Sequence, residues 1–279
     1  MEPRRVGIIG AGNMGFSLLR GVAATQALPA GHLAISDPEA ARRRAAEEQC
    51  GAKVFTDNRE LVAFAEFVVL AVKPQALDAV LEEIASAVTA DKTVLSIAAG
   101  VPTYTLESRL PAGTRVVRAM PNAPAVVGAA ATAVAPGANA NESDLDFARA
   151  LFESVGLAVV TEEHLLDAVT GLSGSGPAYV MVVVEALADG GVKVGLSRKV
   201  ALELATQTVY GSAKLLKETR QHPAMIKDMV ASPGGTTIDG LYALEAGGLR
   251  HALINAVERA ARRAGVLGEE LARRLRAKS

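Results

Sequence analysis

The stretch Arg4–Val22, RRVGIIGAGNMGFSLLRGV, decides the fold of this chain. A short β-branched run, Val6–Ile9, leads directly into Gly10-Ala11-Gly12-Asn13-Met14-Gly15, and an apolar helical pattern follows. This is a G-x-G-x-x-G sequence after a strand and at the start of a helix, the setting in which it binds dinucleotides. Gly10 permits the tight turn, Gly12 lets a pyrophosphate approach the backbone, and Gly15 lets helix and strand pack closely.

The same motif predicts the kind of cofactor. A helix N-terminus offers free N–H groups and a partial positive charge, so we expect the pyrophosphate of a dinucleotide there. The predicted contacts come from Gly10, Gly12, Asn13, Met14 and Gly15. A flavin and a nicotinamide are both compatible with the motif alone. A firmly held flavin usually needs a longer chain with further nucleotide contacts, which favours a nicotinamide cofactor.

The end of the second predicted strand, His32–Asp37, gives two opposing signals about that cofactor. Asp37 is placed to accept hydrogen bonds from the adenosine ribose hydroxyls, which favours NAD. Ser36 and the arginines Arg42, Arg43 and Arg44 offer partners for a 2′-phosphate, which favours NADP. Three arginines on one helix are also typical of a solvated face. The sequence therefore predicts NADPH or NADH and does not choose between them.

Strand and helix patterns alternate through residues 1–162, which predicts an α/β domain with a mostly parallel, doubly wound sheet of the Rossmann type. Further strands are predicted at Glu66–Val72, Lys92–Ala98, Thr114–Met120, Ala129–Ala135 and Leu157–Thr161. Helices are predicted at Gln75–Val88, Thr103–Arg109 and Glu142–Ser154. Because ligands bind at the carboxyl ends of such strands, the turns that follow them are candidate cofactor contacts.

Two of these turns carry a polar residue beside a proline. Val72, Lys73 and Pro74 end one predicted strand, and Asn122 follows another. Their place at the edge of the sheet predicts contacts with the ribose or the nicotinamide. The alternative is a purely structural role, since proline stiffens a turn.

Residues 163–279 show helical patterns in place of strands. The segment Ala178–Gly195 is apolar almost all round, and its length and its helical neighbours favour a buried helix over a strand. Such a helix needs a cover, either the first domain or a second subunit. The prediction is an all-α dimerisation domain in a homo-oligomer, with the arginine-rich tail from Glu258 as a solvated face.

Composition narrows the class of protein. Half of the 279 residues are hydrophobic and 21% are charged, which supports a folded core and argues against disorder. The formal net charge of −1 gives no basis for binding nucleic acid or an anionic membrane. Cys50 is the only cysteine and the four histidines are scattered, so neither a disulfide nor a metal site is predicted. No uninterrupted run of about 18 apolar residues is present, and a soluble, cytoplasmic protein is expected.

The stretch Met229–Gly240, MVASPGGTTIDG, interrupts the helical half. Two glycines ahead of a helix N-terminus form a natural nest for a carboxylate. Thr236 or Thr237 could instead be an ordinary helix cap, although a plain cap needs no Ser-Pro-Gly-Gly before it. The interpretation we favour is a loop whose backbone N–H groups bind a substrate carboxylate while one threonine hydroxyl contacts the reacting heteroatom.

Over nearly its whole length the chain resembles the pyrroline-5-carboxylate reductases. The resemblance is carried by GIIGAGNMG (residues 7–15), AVKP (71–74), SIAAGV (96–101), RAMPNAP (118–124), GLSGSGPAYV (171–180) and HPAMIKDMVASPGGTTI (222–238). The last two are the most specific, since many Rossmann proteins share the first. The resemblance implies reduction of L-1-pyrroline-5-carboxylate to L-proline, the last step of proline biosynthesis, with NADPH or NADH. It also implies a homodimer, often assembled into a decamer of five dimers.

The resemblance assigns roles residue by residue. The substrate loop comprises Ser232, Gly234, Gly235, Thr236 and Thr237. The hydroxyl of Thr237 is placed at the ring nitrogen of the substrate. Asn58 and Ser36 match positions that reach the adenosine ribose or its 2′-phosphate. Asp37 departs from the many NADPH-preferring members that carry a neutral or basic residue there, so the cofactor preference stays open.

Two other functions fit parts of the chain. A β-hydroxyacid dehydrogenase would carry a catalytic Lys and an Asn in the pattern GxxGxGxxxKxxxN. Gly171, Gly174 and Gly176 fit this pattern, but Val180 and Val184 stand at the Lys and Asn positions. A non-catalytic NAD(P)-sensing protein would keep the first-half motifs without needing an intact SPGGTT or GLSGSGPAY.

Overall fold

The computed structural model describes residues 3–276, and their internal contacts divide them into two units. One unit contains the residues up to Ser175 together with those from Glu258 onward, and the other is Gly176–Val257. The predicted domain boundary between residues 162 and 163 stays a prediction. By contacts, residues 163–175 group with the first unit.

An eight-stranded sheet forms the centre of the first unit. Its strands are β1 (Val6–Ile9), β2 (Leu33–Ser36), β3 (Lys53–Phe55), β4 (Phe67–Leu70), β5 (Thr93–Ser96), β6 (Arg115–Met120), β7 (Ala130–Pro136) and β8 (Gly156–Val160). They lie in the order β3-β2-β1-β4-β5-β6-β7-β8, and every neighbouring pair is parallel except β6 and β7. The predicted mostly parallel Rossmann-type sheet is therefore confirmed, with its switch point between β1 and β4.

Helices cover both faces of this sheet, as a doubly wound fold requires. They are α1 (Asn13–Thr25), α2 (Ala40–Cys50), α3 (Asn58–Phe64), α4 (Pro74–Ile84), α5 (Thr103–Glu107) and α6 (Glu142–Glu153). On one face Leu18 of α1 and Phe152 of α6 are buried with Ile8. On the other face Leu61 of α3 is buried with Ile9. Because successive strand residues point to opposite faces, a strand covered on both sides must be apolar throughout, as β1 is.

The predicted strands and the three predicted helices of this half are all present, with ends that differ by a few residues. The helix predicted at Gln75–Val88 ends as an α-helix at Ile84 and continues as a 3-10 turn, Ala85–Ala87. Strand β3 and helix α3 were not predicted. The strand is only 3 residues long and lies at the sheet edge, and the helix is only 7 residues long. Such short elements carry too little hydrophobic periodicity to be recognised.

A helical run extends from Glu163 to Lys193. It contains a short helix, α7 (Leu166–Val169), a π-helical turn, Thr170–Gly174, and a bend at Ser175. By length and composition alone the run is apolar enough to cross a membrane, with a mean hydropathy of 1.2 and 17% of its most apolar window buried. The sequence criterion missed it because Asp167 and Glu185, among others, interrupt the apolar residues.

The second unit is built from helices: α8 (Gly176–Lys193), α9 (Arg198–Thr219), α10 (Pro223–Met229), α11 (Thr236–Ala246) and the first part of α12 (Leu249–Arg276). The prediction of an all-α second half is confirmed. Val184 and Ala188 of α8 are buried against Ala201 and Ala205 of α9. The opposite side of α8 is open, with Val182 65% exposed. The chain by itself therefore covers only one stripe of the helix that was predicted to be buried.

The C-terminal part of α12 corrects the expectation of a purely solvated tail. Ala264 and Ala272 are buried, and a Cβ at Gly268 would lie only 2.4 Å from the Gly100 carbonyl oxygen. These small residues recur every fourth position, so they form one stripe of the helix, and this stripe packs closely within the first unit. Arg262 and Arg263, on the other side of the helix, are exposed.

Asp144 is a fully buried carboxylate that ties α6 to the sheet. It accepts hydrogen bonds from Nη1 of Arg4 and Oγ1 of Thr93, both at 2.7 Å, and from the N–H of Asn141 at 3.2 Å. Nη1 of Arg115 lies 3.7 Å away. Burial raises the pKa of Asp144, but the hydrogen bonds from Arg4 and Thr93 outweigh it and hold the pKa below its ordinary value.

We predict that Asp144→Asn lowers the free energy of unfolding by about 3 kcal/mol at neutral pH, because Arg4 loses its buried partner. The depressed folded-state pKa means that this contribution is fully present above the unfolded value of about 3.9 and is lost as pH falls through the folded value. The difference between wild type and variant in urea unfolding should therefore shrink below about pH 4.

The control for this experiment is Asp146→Asn on the same helix. Asp146 is exposed and forms a surface ion pair with Arg149, so its loss should change the free energy of unfolding by less than about 1 kcal/mol. A difference between Asp144→Asn and wild type that stays constant with pH would show that the carboxylate charge is not the stabilising feature.

Candidate cofactor and substrate sites

The turn from Gly10 to Gly15 joins β1 to α1 and leaves no room for a side chain at its two end glycines. Gly10 has φ +102°, a conformation that L side chains rarely adopt, and its N–H donates to the Ser36 carbonyl oxygen at 2.8 Å. A Cβ on Gly15 would lie 2.0 Å from the Gly10 carbonyl oxygen and 3.0 Å from Cβ of Ala71. The geometry of the turn itself therefore requires glycine at both positions.

Among residues 3–276, no contact excludes a side chain at Gly12. It lies at the N-cap of α1 with φ −67°, and a Cβ built there would meet no atom within 4 Å. No side chain caps this helix, so the N–H groups that begin it, at Asn13 and Met14, are available to an anion. A cavity of about 420 Å³ adjoins them, with Arg20 and Arg42 in its wall. Free donors, partial positive charge and open space beside a glycine fit a dinucleotide pyrophosphate.

The carboxylate of Asp37 is turned into the protein and is buried. Its Oδ2 accepts from the N–H of Ala11 at 2.8 Å, and its Oδ1 accepts from the N–H of Glu39 at 2.9 Å. Nη1 of Arg42 lies 3.5 Å from Oδ2. Asp37 thereby ties the end of β2 to the glycine-rich turn. Its contact with ribose hydroxyls stays a prediction, and both of its oxygens already have protein partners.

Two arginines of the Arg42–Arg44 cluster bond to residues in the connection between β2 and α2. Arg42 pairs with Glu39 at 2.9 Å, in addition to its contact with Asp37. Nη1 of Arg43 donates to the Pro38 carbonyl oxygen at 3.0 Å. Arg44 is exposed. The cluster therefore stabilises the connection between β2 and α2, a role that the sequence did not indicate.

Ser36 and Asn58, predicted on the adenosine side of the cofactor, are in direct contact. The Ser36 hydroxyl donates to Oδ1 of Asn58 at 2.6 Å, and Nδ2 of Asn58 donates to Oε2 of Glu83 at 2.8 Å. Glu83 was not among the residues predicted at this site. Nothing in the helical pattern of α4 distinguishes this residue, because its nearness to Asn58 arises only from the packing of α3 and α4.

The two polar turns predicted at the sheet edge differ in structure. Lys73 occupies the N-cap of α4 and is exposed at the carboxyl end of β4, between Val72 and Pro74. Asn122 is buried, where its Nδ2 donates to the Ser173 carbonyl oxygen at 3.0 Å and its Oδ1 accepts from the N–H of Ala131 at 2.9 Å. These bonds give Asn122 a structural role at the end of β6. Contacts of these four residues with the cofactor stay predictions.

The segment Ser232–Gly235 forms a tight turn ahead of α11. The N–H of Gly235 donates to the Ser232 carbonyl oxygen at 3.1 Å, and Gly234 has φ +66°. Proline in second place and a glycine with positive φ in third place are the residue pattern of a type II turn. A Cβ on Gly235 would lie 2.4 Å from Oγ of Ser232. The turn geometry explains why the helical sequence stops for Ser-Pro-Gly-Gly.

Gly235 occupies the N-cap of α11, and no side chain caps this helix. The alternative that Thr236 or Thr237 is the cap is therefore wrong, since both lie inside the first turn. A cavity of about 460 Å³ adjoins this helix end and is lined by Gly234, Gly235, Thr236, Ile238, Asp239 and Tyr242. Ser232 and the half-buried Thr237 lie outside this lining. The uncapped N–H groups suit a carboxylate, and the roles of the five loop residues stay predictions.

Metal ligation has no candidate in residues 3–276. No group of three or more His, Cys, Asp or Glu side chains there could hold a metal ion. Cys50, at the end of α2, is partly buried, and burial raises the pKa of its thiol.

Known proteins match this chain over both units. Residues 163–267 match the family of pyrroline-5-carboxylate reductase dimerisation domains, and residues 5–100 match a family described as NADP oxidoreductase, coenzyme F420-dependent. A pyrroline-5-carboxylate reductase of Methanosarcina acetivorans is 48% identical over 97% of this chain and 100% of its own length.

Solved structures extend the match to three dimensions. A pyrroline-5-carboxylate reductase from Coxiella burnetii has a TM-score of 0.91 at 34% identity, covering 97% of this chain and 99% of its own. A pyrroline carboxylate reductase from Plasmodium falciparum, solved with NADP bound, has a TM-score of 0.83 at 32% identity, covering 96% and 99%. The resemblance seen in the sequence is confirmed: this chain belongs to the pyrroline-5-carboxylate reductase family.

Proposed function

We propose that this protein reduces L-1-pyrroline-5-carboxylate to L-proline, the last step of proline biosynthesis, with NADPH or NADH as reductant. The observation that carries the proposal is a pair of uncapped helix ends in one chain. The start of α1 at Gly12 suits a dinucleotide pyrophosphate, and the start of α11 after Ser232–Gly235 suits a small carboxylate. The relative from Methanosarcina acetivorans carries this activity in its name.

The substrate is held by the loop before α11. Backbone N–H groups at Gly234, Thr236 and Thr237 bind the carboxylate, and the partial positive charge of the helix end favours the anion. The N–H of Gly235 closes the turn that presents them. Ser232 shapes the turn and contributes its hydroxyl. The Thr237 hydroxyl donates a hydrogen bond to the ring nitrogen. Together these contacts fix the ring in one orientation, which contributes to the rate by positioning.

The reaction adds a hydride to the imine carbon and a proton to the ring nitrogen. When bound, the cofactor supplies that hydride. A C=N bond protonates readily, so the chain needs no strong acid at the nitrogen. A hydroxyl that orients the nitrogen and stabilises the developing charge is sufficient, which is the role of Thr237.

The cofactor is held by the carboxyl edge of the sheet. N–H groups that follow Gly12 bind the pyrophosphate, while Ser36 and Asn58 lie at the adenosine ribose. Val72, Lys73 and Pro74, together with Asn122, contact the ribose or the nicotinamide from the adjoining strands.

The assembly we propose is a homodimer formed through the helical unit, with a decamer of five dimers as the larger assembly. Met181 and Val182 on α8 and Tyr210 on α9 are more than half exposed, and such a surface is typical of an interface. The acidic residues Glu185 and Asp189 are also exposed on α8, and such charges argue against a surface covered by lipid. The net charge of −1 gives no basis for nucleic acid as a partner. The location we propose for this biosynthetic enzyme is the cytoplasm.

The competing functions have less support. Val180 and Val184 occupy the positions where a β-hydroxyacid dehydrogenase needs Lys and Asn, and Val184 is buried in the helical unit. A non-catalytic NAD(P)-sensing role would need neither the turn at Ser232 nor the uncapped start of α11.

Purified protein is expected to oxidise NADPH or NADH in the presence of L-1-pyrroline-5-carboxylate and to release proline. The measurement is the fall in absorbance of the reduced nicotinamide, with proline identified by mass spectrometry. A folded protein that binds either dinucleotide without turnover would remove the proposed reaction and favour the sensing role.

Gly12→Ala is expected to lower the affinity for NADH and NADPH alike, because its Cβ would enter the space assigned to the pyrophosphate. An intruding methyl group costs about 1–3 kcal/mol, which corresponds to roughly fivefold to 150-fold in Kd. The fold should tolerate the change, since the φ of −67° suits alanine and the loss of a glycine N-cap costs at most about 1 kcal/mol.

Gly15→Ala is the steric contrast. Its Cβ would meet the Gly10 carbonyl oxygen, so this variant should have a lower Tm than wild type even without cofactor. Calorimetric titration and thermal unfolding separate the two outcomes. Unchanged cofactor affinity in a folded Gly12→Ala protein would remove the assigned pyrophosphate site.

Thr237→Ala is expected to lower kcat/KM by about 10²-fold, the cost of removing one donor from a developing charge. Thr237→Ser retains the hydroxyl and should recover most of the activity. Steady-state kinetics with saturating cofactor, alongside thermal unfolding, distinguish a lost contact from a damaged fold. Full activity in Thr237→Ala would show that another group contacts the ring nitrogen.

A further inference from the structure

A chain of hydrogen bonds runs from the end of β2 to α4 through three side chains. The Ser36 hydroxyl donates to Oδ1 of Asn58 at 2.6 Å, and Nδ2 of Asn58 donates to Oε2 of Glu83 at 2.8 Å. Ser36 is buried, and the other two are half-buried. The three residues belong to β2, α3 and α4, so the chain exists only because these elements pack together.

The direction of these bonds is fixed from the Glu83 end. An ionised carboxylate can only accept hydrogen bonds, so the amide nitrogen of Asn58 must face Glu83. The amide oxygen then faces Ser36, and the Ser36 hydroxyl must donate to it. Ser36 is left as an acceptor toward any further group, and Asn58 keeps one free N–H.

This chain lies where a Rossmann fold meets the 2′ position of the adenosine ribose. Ser36 is the last residue of β2, and its carbonyl oxygen accepts from the N–H of Gly10 at 2.8 Å. The neighbouring acid, Asp37, is turned away and bonded to backbone N–H groups. The carboxylate that influences the 2′ position is therefore that of Glu83, which accepts a hydrogen bond from Asn58.

We propose that Glu83 is a specificity-determining residue that favours NADH over NADPH by positioning Asn58 and by its charge. A ribose 2′-hydroxyl can donate to Oγ of Ser36 and accept from the free N–H of Asn58. A 2′-phosphate has only acceptor oxygens and carries roughly −1.5 to −2 charges at neutral pH. It meets an acceptor at Ser36 and a negative charge at Glu83, and both weaken its binding.

The inference rests on the proposed binding of a nicotinamide dinucleotide, and the identity of the imine does not enter it. It concerns the ratio of two affinities. The pyrophosphate contacts at α1 are common to both cofactors and cancel from that ratio.

The experiment compares wild type with Glu83→Gln by calorimetric titration of NADH, NADPH, adenosine 5′-monophosphate and adenosine 2′,5′-bisphosphate. Glutamine keeps the shape of the side chain, removes the charge, and offers a donor as well as an acceptor. We expect the affinity for NADPH and for the bisphosphate to rise about three- to tenfold, the effect of a like charge one side chain away. The affinities for NADH and for the monophosphate should change by less than about twofold. The gain should diminish as salt is raised, because salt screens the repulsion in wild type.

Three further variants separate charge, position and fold. Glu82→Gln removes the same charge from an adjacent, exposed residue of α4 and should leave the ratio unchanged. Glu83→Asp keeps the charge and should keep the wild-type preference. Asp37→Asn disturbs the glycine-rich turn and should lower the affinities for NADH and for NADPH by similar factors. Thermal unfolding of each variant reports on the fold.

Each outcome bears on the inference. Equal changes for both cofactors in Glu83→Gln, an equal shift in Glu82→Gln, or failure of folded wild type to bind either dinucleotide overturns it. If the ratio of NADH to NADPH affinity shifts but the protein does not reduce L-1-pyrroline-5-carboxylate, the inference holds and the proposed reaction is wrong. Turnover with an unchanged ratio retains the reaction and removes the inference.

Discussion

The close packing of α1 on the turn after β1 is the constraint on which the rest of the first unit depends. Gly15 leaves no room for a side chain against the Gly10 carbonyl oxygen, so the helix begins directly above the strand. This brings the uncapped helix end to the carboxyl edge of the sheet, at its switch point. Asp37 fixes the same turn from β2 by accepting the N–H of Ala11. An anion site made from backbone N–H groups keeps its donors at any pH, and its precision comes from this packing.

Local sequence was sufficient to predict most of the strands and helices of this unit. Continuous β-branched runs predicted the strands that are covered on both faces, and the glycine motif predicted the turn, because each signal comes from adjacent residues. The short edge strand β3 lacked such a signal. The partners of Asp37 and Asn58 could not be predicted either. The residue type shows that Asp37 can accept hydrogen bonds. Only the folded structure shows that the N–H groups of Ala11 and Glu39 already donate to it.

The second unit shows the same limit in another form. The Ser-Pro-Gly-Gly sequence predicted a turn, and the geometry at Gly234 and Gly235 explains each residue of it. The length of the segment and its helical neighbours also predicted α8 as a helix, yet they could not show what covers its apolar surface. Within the described chain only the stripe at Val184 and Ala188 is covered. A pattern of hydrophobic residues reports that a surface will be buried, and it does not distinguish a neighbouring helix from a second subunit.

Hydrogen-bond direction is the property that sequence motifs describe least well, and the end of β2 illustrates why it matters. Ser36 and Asn58 are each able to donate and accept, so their identities alone fit a hydroxyl and a phosphate equally well. Glu83 only accepts, and this single restriction orients Asn58 and then Ser36. A residue with no direct place in a cofactor motif can therefore decide what the motif residues offer. In a site built from amides and hydroxyls, the group with the fewest hydrogen-bonding options determines the orientation of the others.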